Sequence, residues 1–207
     1  MKRFPFYILY IMCMGAQLSC SDDRETVPAV LTELCDVYID PQGIASTARL
    51  DDGTLLDIAL QGLKADVADT TVRSVLTYAW QNGTPRVYAN SPAMCMSARP
   101  VREFVTVAHD PVKLVSIWQC GGYINLVLGE MTRDKAAHEY AFSLDSLHRR
   151  TLCVSLLHRQ PEEDAPSYTK KRYASLPVRV NGTEAYDSLQ VSVFTFEGWR
   201  AFLFPVR

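Results

Sequence analysis

The sequence predicts an all-β chain in two units, a small barrel followed by an antiparallel sandwich. Three observations predict it. Short runs of alternating apolar and polar residues recur along the chain, separated by turn signals such as Asp51-Asp52-Gly53, Asn82-Gly83 and Asn181-Gly182. No helical period is sustained. Residues 115–128, VSIWQCGGYINLVL, crowd apolar and aromatic side chains on both sides of Gly121-Gly122. That is the pattern of buried strand broken by glycine, where a bulge or a close backbone approach removes the side chain. The segments after it read as strands that need this one to pair with.

Composition bounds the rest. The chain has 207 residues, 48% hydrophobic and 21% charged, an ordinary globular balance rather than a disordered one. A formal charge of −2 creates no global field, so nucleic acid is not an implied partner. None of the six cysteines, Cys13, Cys20, Cys35, Cys95, Cys120 and Cys153, forms a CxxC pair, so neither a zinc knuckle nor a thioredoxin-like site is suggested.

Residues 1–19 read as an export signal: a basic Met1-Lys2-Arg3, an apolar run over 4–14, and small residues from Gly15-Ala16. The run is about half of the ~20 apolar residues that a spanning helix needs. Gln17-Leu18-Ser19-Cys20 resembles a bacterial lipobox, with Gln17 where the usual Leu stands and Leu18 one place late. It implies acylation of Cys20 with a fatty chain such as palmitate. Residues 20–31 then form an acidic tether opening Ser21-Asp22-Asp23-Arg24-Glu25, like those that route lipoproteins to the cell surface. The expected place is the cell envelope, as a surface-exposed outer-membrane lipoprotein touching the membrane through its lipid. Disulfides are permitted there. Cys35, Cys95, Cys120 and Cys153 allow three pairings; buried free thiols are favoured because the fold is large enough to do without a staple, with one disulfide as the alternative.

Residues 32–110 form the first unit. Strands are expected over 34–39, 47–50 and 54–58, the last two flanking Asp51-Asp52-Gly53. Over 70–80, Val72, Ser74, Leu76, Tyr78 and Trp80 alternate with Arg73, Val75 and Thr77. Asn82-Gly83 turns the chain into 86–89, and a last strand is expected over 102–108. About five short strands with tight turns fit an OB-type barrel. Tyr38, Tyr78, Trp80 and Tyr88 are expected mostly to fill its core rather than to stack bases.

Residues 111–207 form the second unit, after the joint His109-Asp110-Pro111. Strands are expected over 113–118, 123–128, 138–144, 152–158, 173–178, 189–196 and 199–204, about seven in an antiparallel sandwich. A hairpin centred near His148 would set His138 opposite His158. Two imidazoles on facing strands can hold a metal with Glu139 or Asp164 near, but alternation turns Glu139 away and spacing places no third ligand. No metal or other cofactor is therefore expected, with His138 and His158 the only candidates, and the plainer expectation is hydrogen bonding to backbone. Ser143, Asp145 and His148 lie close in sequence without a nucleophile elbow or oxyanion donors. Lys170-Lys171-Arg172 reads as a solvated loop, and Asn181-Gly182-Thr183 as a turn. No catalytic residue is assigned, and the chain is expected not to be an enzyme.

The residues Trp118, Gly121-Gly122-Tyr123-Ile124-Asn125-Leu126, His138, Leu156-Leu157-His158-Arg159 and Tyr173-Ala174-Ser175-Leu176, with the closing hairpin over 191–204, resemble the NigD-like lipoproteins. The resemblance covers both units and the lipoprotein start. It implies an N-terminal OB domain, a C-terminal β-sandwich and a lipid anchor. The family takes its name from a bacteriocin gene cluster, and an immunity role has been suggested for it. It offers no catalytic residues to carry over, and Gln119-Cys120 before the glycines departs from its pattern. The function expected is a non-enzymatic binding or accessory module with a protein partner, or alternatively a glycan-binding lipoprotein of an uptake system.

Overall fold

The computed structural model describes residues 28–132, 138–161, 168–180 and 185–206. Cys20, most of the tether, Asp164 and the Asn181-Gly182-Thr183 turn lie outside them. The first sheet is made by β1 (Val30–Ile39), β2 (Ala45–Leu50), β3 (Leu55–Asp57), β4 (Thr70–Gln81) and β5 (Thr84–Pro92). Its order, β3-β2-β1-β4-β5, is that of an OB barrel left open between β3 and β5. Gln61 Nε2 bridges that opening to Pro85 O at 3.1 Å. Val37, Ile39, Ala48, Leu56, Ile58 and Leu76 fill the concave side, with Leu63 and Ala65 of the β3–β4 connection packed on them.

The alternation of β4 is as expected on its inner face, where Ser74, Leu76 and Tyr78 are buried. The aromatics correct the expectation. Only Tyr78 enters the barrel, while Tyr38, Trp80 and Tyr88 are exposed. Tyr88 is the extra residue of a bulge, because Thr77 pairs with Ala89 and Tyr78 with Val87. Arg86 lies over its ring.

The second unit is a sandwich. One sheet has the order β6-β12-β9-β8, built from β6 (Met94–Cys95), β12 (Tyr168–Pro177), β9 (Tyr123–Thr132) and β8 (Lys113–Cys120). The other has the order β14-β13-β11-β10-β7, built from β14 (Gly198–Pro205), β13 (Ser188–Thr195), β11 (Thr151–Arg159), β10 (Glu139–His148) and β7 (Arg99–Pro100). Ile124, Leu126 and Leu128 of β9 meet Phe142, Leu156 and Val191 of the facing sheet in one core.

The sandwich is mixed rather than purely antiparallel. β11 and β13 run parallel, because the chain crosses to β12 on the other sheet between them. The strand expected over 102–108 is absent. Residues 94–100 have already left the barrel, as β6 pairs with β12 and β7 with β10, and a 3-10 turn follows at Val101–Glu103. Lys170-Lys171-Arg172 belongs to β12 rather than to a loop, and Arg172 Nε donates to buried Glu130 at 2.8 Å.

The β10–β11 register also differs from the expected one. Tyr140, not His138, stands opposite His158. The turn sits at Arg149-Arg150, both at positive φ, and a bulge beside Asp145 takes up one residue.

Deleting a side chain from the shared core should be costly. Leu126→Ala, at a fully buried position, should lower unfolding free energy by about 2–5 kcal/mol. Val115→Ala, half exposed on edge strand β8, should stay within ~0.5 kcal/mol of the parent. Urea unfolding of both variants is the check.

Candidate functional site

The two units meet along two polar rows that are products of strand register. On the convex side of the barrel sheet, Asp36 of β1 pairs across to Arg49 of β2 and to Arg73 of β4. The row reads cation, anion, cation. On the sandwich, Asn125 of β9 stands opposite Ser175 of β12. The alternation that puts Ile124, Leu126, Ala174 and Leu176 into the core aims these two the other way, toward the barrel.

Arg73 crosses between the rows. Its side chain is 2% exposed. Nε donates to Ser175 Oγ at 3.2 Å, Nη1 to Asp36 Oδ1 at 3.3 Å, and Nη2 to Asp51 Oδ2 at 2.8 Å and Asn125 Oδ1 at 3.0 Å. Its guanidinium carbon sits 4.2 Å from the centre of the Tyr123 ring. Asn125 Nδ2 also donates to Asp51 Oδ2, and Ser175 Oγ to Asn125 Oδ1, each at 2.8 Å. Burial by itself would lower the Arg73 pKa, but the Asp51 hydrogen bond and the charges of Asp51 and Asp36 outweigh it and the net shift is upward. A buried guanidinium is tolerated only with such a full set of partners.

At the Arg49 end of this contact a groove of about 650 Å³ opens, within the ~300–1,000 Å³ typical of ligand pockets. One wall is the β8–β9 turn, Cys120-Gly121-Gly122-Tyr123; the other is formed by Pro177, Val178 and Pro205. Arg49, Arg179 and Gln119 supply polar groups. Gly121 and Gly122 have φ of 61° and 83°, a two-residue turn in the left-handed region that glycine enters at no steric cost. Gly121 is needed a second time, because a Cβ there would lie 2.5 Å from Asp51 Oδ1. Gln119 Nε2 donates to Pro205 O at 3.0 Å, tying the two sheets at the rim. Cys120 Sγ lies 3.6 Å from Asp51 O.

His138 and His158 do come together. His138 Nδ1 is 2.8 Å from His158 Nε2, and the rings are stacked. His158 Nδ1 lies 3.0 Å from Asp110 O, a carbonyl that can only accept, so His158 carries its proton on Nδ1. Its Nε2 then accepts from His138 Nδ1, and His138 Nε2 is left buried with no partner among the described residues. To chelate one cation the pair would have to break its mutual hydrogen bond. No group of three or more His, Cys, Asp or Glu among the described residues is placed to hold a metal. Burial, followed by the His138 contact, holds the His158 pKa below the ordinary imidazole value.

Ser143 and Asp145 are joined, Oγ to Oδ1 at 2.8 Å, but Ser155 takes the other carboxylate oxygen at 2.6 Å and His148 lies at the far end of the hairpin. The four cysteines in the described residues are free: Cys35 is buried, Cys95 exposed, and Cys120 and Cys153 in between. Burial pushes the Cys35 thiol up to about 12, which removes it as a nucleophile.

No protein-family model matches the chain, and no curated protein does. Solved structures do. The fold is similar to that of a NigD-like immunity protein from Bacteroides caccae, with TM-score 0.67 and 22% identity over 86% of this chain and 92% of that one. It is similar to a putative toxin-related protein from Parabacteroides distasonis, with TM-score 0.65 and 16% identity over 86% and 94%. A protein of unknown function from Bacteroides vulgatus gives TM-score 0.62 and 12% identity over 86% and 92%. At these identities what is shared is the fold, across both units.

Two measurements test the junction and the histidine pair. Gly122→Ala should cost the ~1–2 kcal/mol of a left-handed backbone. Gly121→Ala should cost at least ~1 kcal/mol more in urea unfolding, because it also drives Asp51 from the Arg73 contact. His158 gives a pH dependence of defined sign. Its folded pKa lies below the unfolded one, so the unfolded chain takes up the proton first as pH falls. Stability is whole above the ordinary imidazole pKa of ~6.5 and declines as pH drops from there toward the folded value. The urea midpoint followed from ~pH 8 to ~pH 5 should fall in the parent more steeply than in His158→Gln.

Proposed function

We propose that this chain is a non-enzymatic binding lipoprotein of the cell envelope that acts as an immunity-type protein against a bacteriocin-class toxin. The observation that carries the reading is the junction groove. Its position is set by a buried ion network between the two units, and its lining offers groups that hold a partner rather than react with one. Arg49, Arg179 and Gln119 bind; Pro177, Val178, Pro205 and Tyr123 give apolar contact. Among the described residues neither a base nor an activated nucleophile lines it, and Cys120 is turned toward the Asp51 carbonyl. The names of two structural neighbours, a NigD-like immunity protein and a toxin-related protein, support the same class of role.

The anchor in this reading is a fatty acyl group on Cys20, with the acidic tether carrying the body clear of the outer membrane toward the cell surface. The fold itself needs no contact with lipid.

A survival assay tests the role. The chain is expressed in a strain sensitive to the toxin secreted by the native host, and survivors are counted after exposure to that secretion. Protection is expected from the parent and should be lost or strongly reduced in Cys20→Ala, which should also fail to take up labelled palmitate. Killing unchanged by the parent chain would sink the immunity role, and undiminished labelling of Cys20→Ala would sink the anchor.

A further inference from the structure

We propose that the junction groove takes an acidic peptide segment of its partner, with carboxylates seated on Arg49 and Arg179. The proposal rests on the binding-protein reading and names the chemistry of what is bound. Charge complementarity carries it. Among the described residues the charged groups lining the groove are these two arginines, with no carboxylate beside them. Arg49 is fixed on one side, where Nη2 donates to Asp36 Oδ2 at 2.9 Å, yet 61% of its side chain is exposed. A guanidinium has five N–H donors in a planar fork, so one bond to Asp36 leaves donors for a ligand.

The local charge count has the same sign. Asp36 and Asp51 are balanced by Arg49 and Arg73, which leaves the charge of Arg179 over. Arg179 is exposed and makes no ion pair among the described residues. A planar fork matches a carboxylate in two parallel hydrogen bonds.

Shape decides for a peptide over a small free anion. The groove is far larger than one phosphate, and between its cations run apolar surfaces from Tyr123, Pro177, Val178 and Pro205. These suit the methylene stems and backbone of a chain. Gly122 has open space where a side chain would stand, so a peptide backbone can approach the turn closely. Gln119, whose amide N–H is committed to Pro205 O, keeps its Oε1 to accept a peptide N–H.

The test titrates the full mature chain with hexaglutamate, hexaglutamine and inorganic phosphate by calorimetry. Hexaglutamate should bind, hexaglutamine should bind at least ~10-fold more weakly, and phosphate at equal concentration should not displace the peptide. Arg179→Gln should weaken hexaglutamate binding about tenfold, the scale of one charge-assisted hydrogen bond, with an unchanged urea midpoint because Arg179 lies outside the buried network. Equal binding of the two peptides, an unaffected Arg179→Gln variant, or full displacement by phosphate would overturn the proposal. The survival assay separates the two readings. Protection by a folded chain that does not bind hexaglutamate overturns the acidic-peptide proposal alone. Arg179-dependent hexaglutamate binding without protection overturns the immunity role and leaves the groove's ligand class standing.

Discussion

The structure depends on one buried cation. Arg73 projects from the convex side of a half-open barrel into the back of a sandwich sheet, and its charge is answered from both units: Asp36 and Asp51 from one, Asn125 and Ser175 from the other. Removing a guanidinium from water costs several kcal/mol, and removing one member of such a set typically costs about 3–5 kcal/mol because the remaining charge is stranded. The same bookkeeping says that the network adds little net stability over an apolar contact. What it contributes is alignment. An apolar interface can slide by an ångström with small loss, whereas this one would leave a buried charge short of a partner. The two units are therefore held in one relative setting, and the groove at their seam is preformed.

Strand β9 shows how the sequence produces that seam. Every residue from Ile124 to Glu130 is buried, on both faces of the strand. One face closes the sandwich core, and on the other Asn125 meets Arg73 and Asp51 of the barrel while Gly129 lies under the Lys113 side chain. This is why the stretch reads as a continuous apolar run rather than a clean alternation. The double glycine before it has a matching cause. Gly121 lies so close to Asp51 that a side chain would collide with the carboxylate holding Arg73. The glycines are thus part of the contact between the units as well as of a hairpin.

Much of the fold was legible in the sequence because period-2 alternation and turn chemistry are local. The Asp51-Asp52-Gly53 and Asn82-Gly83 turns, the succession of β1 to β5 along the chain, and the sandwich around residues 123–128 follow from those signals. What failed was non-local. Bulges at Tyr88 and Asp145 shift register by one residue without any composition signal, and so Tyr88 and the partner of His158 were misplaced. Residues 94–100 leave the barrel to pair in the sandwich, a choice set by tertiary packing. The junction site was missed because Asp36, Arg49 and Arg73 each look like solvent-facing residues of a barrel strand. One signal could have exposed it. Asn125 sits inside the run Ile124-Asn125-Leu126-Val127-Leu128, and a buried amide there requires a polar partner from elsewhere in the chain.

The two polar centres of the molecule differ in what they leave available. In the histidine pair every donor is spent inside the protein: His158 on the Asp110 carbonyl, His138 on His158, and Tyr140 on Glu130. His138 Nε2, without a partner among the described residues, is buried beside a cavity of about 10 Å³, a size for a single water at most. The hydrogen bonds of the pair are thus spent on the packing of its corner of the sandwich. At the junction the spending is uneven. Arg73, Asn125 and Ser175 are consumed, but the barrel row that holds Arg73 ends in Arg49, which is bound on one side and open on the other. A cation oriented by a rigid internal network loses little freedom when it meets a ligand. Under the proposed function, that asymmetry makes the seam between the units, rather than the face of either one, the place where a partner would be held.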